Sequence, residues 1–144
     1  MYITQISIFV ENKEGKLKEI TEVLFTANIN IRAMSLADTT DFGILRLIVS
    51  EPERAIATLK AAGFTVTKTE VLGVALNDSP GGLNAVLSAL ADNGIALEYA
   101  YAFTAHLNDE TAFVVLRVED NQKAANALSG QGIHVLSDRE VEKI

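Results

Sequence analysis

The sequence predicts an α+β chain of two βαββαβ units, antiparallel sheets with the helices on one face, packed as a tandem pair. Three observations predict it. The first is an internal repeat. Ile6-Ser-Ile-Phe-Val10 lies over Leu72-Gly-Val-Ala-Leu76, Glu14-Gly15-Lys-Leu17 over Pro80-Gly81-Gly-Leu83, and Ala27-Asn28-Ile-Asn30 over Asn93-Gly94-Ile-Ala96, all at an offset of 66 residues. Leu59 with Gly63-Phe-Thr-Val66 then lies over Leu128 with Gly132-Ile-His-Val135 at an offset of 69, so the second copy gains three residues in one loop near His106–Glu110. The second observation is periodicity, which switches between strand and helix spacing in the same order in both copies. The third is size and composition. The chain has 144 residues, 49% of them hydrophobic, and only two prolines, so it is expected to fold. A repeat of this size buries only about 60% of its unfolded surface and is marginal alone.

Each element follows from its residues. Ile6, Ile8 and Val10 alternate with Ser7 and Phe9 as a strand with one face on a core. Leu17, Ile20, Leu24 and Ala27 then recur at helical spacing, and Asn28 is a suitable stop because it tolerates the left-handed conformation. Ile29, Ile31 and Ala33 begin a second strand, and Ile44–Val49 makes a third. Ser50-Glu-Pro-Glu53 reads as a capping box with proline at the helix start, followed by Ala55, Ile56, Leu59 and Ala62 on one face. Gly63 stops that helix, and Phe64–Thr69 is the fourth strand.

The second copy repeats the order. Leu72, Val74 and Leu76 form a strand, and Ser79-Pro80 reads as an N-cap with proline at the first helical position. Leu83, Val86, Leu87 and Leu90 give the apolar stripe, and Gly94 ends the helix. Ile95, Leu97, Tyr99, Tyr101 and Phe103 alternate along one long strand, which gives the aromatic residues the inward parity of Ile95 and Leu97. Thr111–Val118 lies opposite, Ala124, Ala127 and Leu128 mark the next helix, and Ile133–Leu136 is the expected last strand. Ser137-Asp-Arg-Glu140 is suited to cap a short terminal helix. Domains are expected at 1–70 and 71–144, with Glu70-Val71 passing from one to the next almost without a linker. The sheet face away from the helices carries Phe9, Ile44, Arg46, Ile48, Phe113, Val115 and Arg117. It is too apolar for solvent, and another copy of the chain, as a homo-oligomer (dimer), is its expected cover.

Charge narrows the function. The net charge of −7 repels a phosphate backbone, which argues against nucleic acid. The charge is uneven, with 8 basic and 9 acidic side chains in residues 1–70 against 4 and 10 in residues 71–144. No apolar run approaches the ~18 residues of a membrane span, so no membrane partner is expected. The chain has no cysteine, which removes disulfides and thiolate chemistry and fits a cytoplasmic protein. Phosphate-loop, nucleophile-elbow and paired-histidine motifs do not occur, so neither catalysis, nor a metal, nor a cofactor is expected.

The chemistry-bearing segments are the first strand-to-helix turns, Asn12-Lys13-Glu14-Gly15-Lys16-Leu17 and Asp78-Ser79-Pro80-Gly81-Gly82-Leu83. Glycine lets the backbone approach a partner, and helix-start amides suit a carboxylate. The Asn12 or Asp78 side chain is placed to accept from an ammonium group. Donors beside acceptors complement the two ends of a free amino acid, although Ser79-Pro80-Gly81 also makes an ordinary helix start.

Asp78-Ser-Pro-Gly81-Gly-Leu83, an amphipathic helix, and Asn93-Gly94-Ile95-Ala96-Leu97 together resemble the ACT domain, a regulatory amino-acid-binding module; Asn12–Leu17 and Asn28–Ile31 resemble it again. The resemblance covers essentially the whole chain and implies a ferredoxin-like pair without a catalytic domain. It implies effector binding at the seam between domains, and transmission of occupancy to a regulated partner that the sequence does not name. Carried over by motif, the polar loop position falls on Asn12 and Asp78. The second-strand asparagine falls on Asn30, where the other copy has Ala96, and Glu14 replaces the usual proline. The resemblance thus implies one well-furnished site on Asn12 and Asn30, with Glu14, Gly15, Lys16 and Leu17. Asp78, Gly81, Gly82 and Leu83 would complete it or form a weaker second site. A small enzyme on this scaffold and a ligand-free oligomerisation module are the alternatives.

His106 and His134 read as surface histidines, and Tyr99, Tyr101 and Phe103 as core. Lys13, Lys16 and Lys18 form a basic cluster that Glu11, Glu14 and Glu19 largely neutralise.

Overall fold

A computed structural model describes residues 2–38 and 41–144 of the chain. The elements run β1 (Ile3–Glu11), α1 (Lys16–Thr26), β2 (Ile31–Asp38), β3 (Phe42–Val49), α2 (Pro52–Ala61), β4 (Val66–Leu76), α3 (Gly82–Asp92), β5 (Leu97–Leu107), β6 (Glu110–Val118), α4 (Asn121–Gly130) and α5 (Asp138–Val141). They group into two compact units, Thr4–Thr69 and Glu70–Ile144 with the first residues of the chain. The strand order is β2-β3-β1-β4 in the first unit and β4-β6-β5 in the second. The two separate strands expected at Phe64–Thr69 and Leu72–Leu76 are one, β4, whose first residues close the first unit and whose remainder begins the second.

Each unit has its own core between helices and sheet. In the first, Ile6, Ile8, Leu45, Leu47 and Val49 meet Ile20, Leu24, Ala55 and Leu59. In the second, Leu72, Val74, Val114, Leu116 and Val118 meet Val86, Leu90, Ala124 and Leu128. These sets correspond position by position at the two offsets, so the repeat in sequence is a repeat of packing. Helix ends repeat too. Asn28, Gly63, Gly94 and Gly132 all have positive φ. The next residue in each case, Ile29, Phe64, Ile95 or Ile133, donates its N–H back to Leu24, Leu59, Leu90 or Leu128 at 2.9–3.0 Å.

Alternation breaks at one place in both copies. Ile31 pairs with Val49 but Ala33 with Ile48, and Leu97 pairs with Val118 but Tyr99 with Arg117. Arg32 and Glu98 are the extra residues of two β-bulges, and a bulge exchanges the faces of everything beyond it. This corrects the inward parity expected for the aromatic residues. Tyr99, Tyr101 and Phe103 stand beside Arg117, Val115 and Phe113, on the sheet face away from the helices. The rings of Phe103 and Phe113 stack there with centroids 5.4 Å apart.

That face is also less open than expected. Ile48, Phe113 and Val115 are already buried within the single chain, whereas Phe9 is 50% exposed. Gly73 lies on it directly beneath Ile3 and Leu136; an added Cβ would stand 2.5 and 2.9 Å from their side-chain ends.

Four further expectations change. Ile133–Leu136 forms an isolated bridge, Val74 to Val135, rather than a strand, because the chain turns at Ser137 into α5. The Ser50–Glu53 capping box is not made. Glu51 is the N-cap of α2 and its carboxylate holds Arg54, while the Ser50 hydroxyl accepts from the Asn30 N–H at 3.0 Å. α3 starts at Gly82 with Gly81 as N-cap, so Ser79-Pro80 lies in the turn before it. The three extra residues of the second copy do not make a longer loop. They lengthen the β5–β6 hairpin through a second register shift, between Thr104 and Leu107, and a tight Asn108-Asp109 turn with Asn108 at φ 55°. The Ser137–Glu140 capping box forms as expected.

Candidate ligand site

The two first turns share one backbone hydrogen-bond pattern. Lys13 and Ser79 donate N–H bonds to Glu11 and Asn77 at 2.8 Å, and Lys16 and Gly82 return to Lys13 and Ser79 at 3.3 and 3.0 Å. Gly15 and Gly81 both cap their helices in the left-handed region, at φ 81° and 91°. This conformation favours glycine and explains its place in both copies. The amides that follow have no intrahelical carbonyl to bind, and they carry the partial positive charge of the helix start.

The surroundings of the two turns differ. In the first, the Lys13 ammonium lies 3.0 Å from Glu11 and holds that carboxyl below the usual range through a hydrogen bond and its charge. Lys16 pairs with Glu19 at 3.3 Å, and Lys18 with Glu22 at 3.2 Å, so the basic cluster is neutralised, though Lys18 takes a partner one turn on. In the second, the turn is drawn so tightly round Asn77 that a Cβ on Gly82 would stand 1.9 Å from the Asn77 carbonyl oxygen. Its counterpart in the first copy, Lys16, carries a side chain without difficulty.

A cavity of about 640 Å³ opens beside this second turn, lined by Asp78, Gly81, Gly82, Asp109, Glu110 and His134 among others. His134 departs from its reading as an ordinary surface residue. Its Nδ1 lies 2.7 Å from Glu110 and its Nε2 3.0 Å from Glu140, so the ring bridges the start of β6 and α5. Burial works against its protonated form, but hydrogen bonds to both carboxylates, and their charges, outweigh it and raise its pKa above the ordinary 6.5. Glu140 is held below the usual carboxylate range, first by the Ser137 backbone N–H, then by the Ser137 hydroxyl and His134. Sequence reading missed this group because its members lie 24 and 6 residues apart on different elements. The signal available was the three-residue insertion ending at Glu110, opposite the histidine that replaces Thr65 of the first copy.

The site residues expected from sequence do not all converge. Asp78, Gly81 and Gly82 line the cavity, while Leu83 points outward, 47% exposed. Asn12 and Asn30 lie at opposite ends of the first unit. Asn12 donates its N–H to Asp41, just before β3, whereas Asn30 is bonded to Ser50, just after it. The eight residues of β3 separate them by roughly 26 Å at about 3.3 Å per residue, so within this unit they cannot hold one small molecule. His106 is exposed on β5. Among the described residues no group of His, Cys, Asp and Glu side chains is arranged to hold a metal ion, and no helix is long and apolar enough to cross a membrane.

Comparison with known proteins places this arrangement. A family profile described as an ACT domain pair matches residues 1–144. The chain belongs to the ACT domain pair family. This ACT pair is similar to the solved structure of protein BT0572 from Bacteroides thetaiotaomicron, with a TM-score of 0.90 and 40% identity over 100% of this chain and 98% of that one. It also shares its fold with the ligand-free regulatory subunit of aspartate kinase from Thermus thermophilus, at a TM-score of 0.64 and 14% identity over 89% of this chain and 91% of that one. A C-terminal regulatory domain assigned to aspartate kinase of Porphyromonas gingivalis W83 gives a TM-score of 0.54 and 15% identity over 91% and 94% of the two chains. No curated protein matches the chain.

Proposed function

We propose that this ACT pair is a non-catalytic regulatory protein that binds a free amino acid and passes its occupancy to a partner. The observation that carries the reading is the cavity of the second unit, where a helix start stands beside Asp78, Asp109 and Glu110. Helix-start amides suit the carboxylate of an amino acid, and the acidic groups suit its ammonium. Asp78, Gly81 and Gly82 are the proposed contacts on the turn, with Leu83 outside the cavity. Asn12, Glu14, Gly15, Lys16 and Leu17 are the proposed weaker counterpart, and Asn30 a contact separate from both. The fold shared with regulatory parts of aspartate kinases agrees with this reading.

A second feature supports a division of labour. Six large apolar side chains among the described residues are substantially exposed, and five of them, Phe9, Phe25, Met34, Leu36 and Phe42, belong to the first unit. The reading assigns association with a second copy or with the regulated partner to that unit.

Thermal-shift measurements with each of the twenty amino acids test the proposal. A specific few are expected to raise the melting temperature, because a molecule that binds only the folded state stabilises it by mass action. A flat response to all of them at millimolar concentration would refute it.

A further inference from the structure

We propose that Glu110 is the group that accepts the ligand's ammonium in the second-unit cavity, and that His134 is its positioning residue, tying cavity occupancy to the seating of the C-terminal helix α5. The inference rests on the amino-acid reading above and extends it to a specificity-determining residue and an output.

Three independent features meet here. Glu110 lines the cavity from the start of β6, where it pairs with Leu107 just beyond the extended hairpin turn. His134 lines the same cavity and holds Glu110 at 2.7 Å, which fixes the direction of the carboxylate. The other ring nitrogen, Nε2, holds Glu140, whose carboxylate also accepts from the Ser137 N–H at 2.8 Å and hydroxyl at 2.9 Å, closing the capping box of α5. A single ring thus spans the cavity wall and the cap of a terminal helix. Glu110 aligns with Asp41 of the first copy, but the other two parts have no counterpart there: the uncharged Thr65 stands in place of His134, and the chain continues into β4 where the second copy enters α5.

The chemistry gives a direction. An ammonium entering the cavity competes with the imidazolium for the same carboxylate, and the histidine that loses Glu110 holds Glu140 differently. The charged groups around the ring are Glu110 on β6, Asp109 in the hairpin turn and Asp78 across the cavity. Glu140 is joined on α5 by Asp138 and Arg139. Protonated His134 and ionised Glu140 coexist between the depressed pKa of Glu140 and the raised pKa of His134. The tie is therefore closed from below pH 6.5 upward and released as pH rises through the folded-state pKa of the histidine.

The test uses the full chain, Glu110→Gln and His134→Gln, with two readouts. First, amide exchange of residues 140–142 is followed from pH 5 to 9 without additive. Protection beyond the intrinsic pH effect is expected to fall across the histidine titration in the wild type and to stay flat in His134→Gln, with α3 protected in both. Equal profiles would overturn the positioning role. Second, any amino acid that stabilises the wild type is compared with the hydroxy acid that replaces its amine by hydroxyl. The wild type is expected to prefer the amino acid at least tenfold, and Glu110→Gln to lose most of that preference. An unchanged preference would overturn Glu110 as acceptor while leaving the amino-acid reading intact. Stabilisation by no amino acid would overturn that reading and Glu110's role together, and a persistent pH response of α5 would then mark that failure as one of ligand rather than of the His134 tie.

Discussion

The two first turns have the same backbone hydrogen bonds and opposite surroundings. Around Gly15, lysines and glutamates neutralise one another on an open surface. Around Gly81, the turn is tightened onto Asn77, faces a cavity and looks across it to a histidine held by two carboxylates. A duplicated fold has thus kept its conformation and divided its chemistry. Similarity of backbone between repeats is a guide to structure, and the side chains that differ are the guide to function.

Substitutions made in pairs, one per copy, would break or sharpen this contrast. The largest difference is expected between Gly82→Ala and Lys16→Ala. The first drives a Cβ against a backbone carbonyl that cannot step aside and should cost about 2–4 kcal/mol. The second should stay within about 0.5 kcal/mol. Urea unfolding of both variants measures the gap, and equal costs would mean that the second turn is not the tighter one.

Gly15→Ala and Gly81→Ala are expected to match, since both glycines are left-handed with open space around the Cβ position. Each should lose about 1–2 kcal/mol through backbone strain alone. A clearly larger loss at one of them would show that the shared conformation is not equally supported.

Smaller still is the cap difference at the second helix of each copy. The Asp120 side chain accepts from the Lys123 N–H at 3.0 Å, so Asp120→Ala should cost about 1 kcal/mol. Its counterpart Glu51 makes no capping bond, and Glu51→Ala, which loses only an exposed pair with Arg54, should cost clearly less.

Smallest is the pH response. His134 has a raised pKa, so its contribution is complete below pH 6.5 and disappears as pH rises through its folded value; the uncharged Thr65 has nothing to lose over that range. Melting curves between pH 5 and 8 should show a decline that His134→Gln removes.

Much of this was legible in the chain itself. Helix stops at Asn28, Gly63, Gly94 and Gly132, and both apolar cores, follow from local chemistry, because left-handed residues and helical stripes depend on near neighbours. The faces of Tyr99, Tyr101 and Phe103 were not legible, since one extra residue at Glu98 reverses them and only pairing with β6 reveals it. The N-cap of α3 was misplaced because Ser79-Pro80 fits a helix start as well as the turn it occupies. The His134 group escaped for a different reason: its partners are joined only when the hairpin and α5 come together. The convergence of Asn12 and Asn30 was implied by motif resemblance, and motif spacing contains no record of which end of a strand each residue occupies.

The bulges at Arg32 and Glu98 have a meaning for history. They are 66 residues apart, the same offset that relates the first halves of the copies, and each inserts one residue against the partner strand at the same step. Two independent insertions at one matching position would be a coincidence. The parsimonious course is that a single ancestral unit already bent its second strand there before its gene doubled. The three-residue hairpin extension is present in one copy alone, so the copies came to differ there after the doubling. The molecule therefore orders its own parts, with the bend common to both halves and the Glu110–His134 pairing present in one.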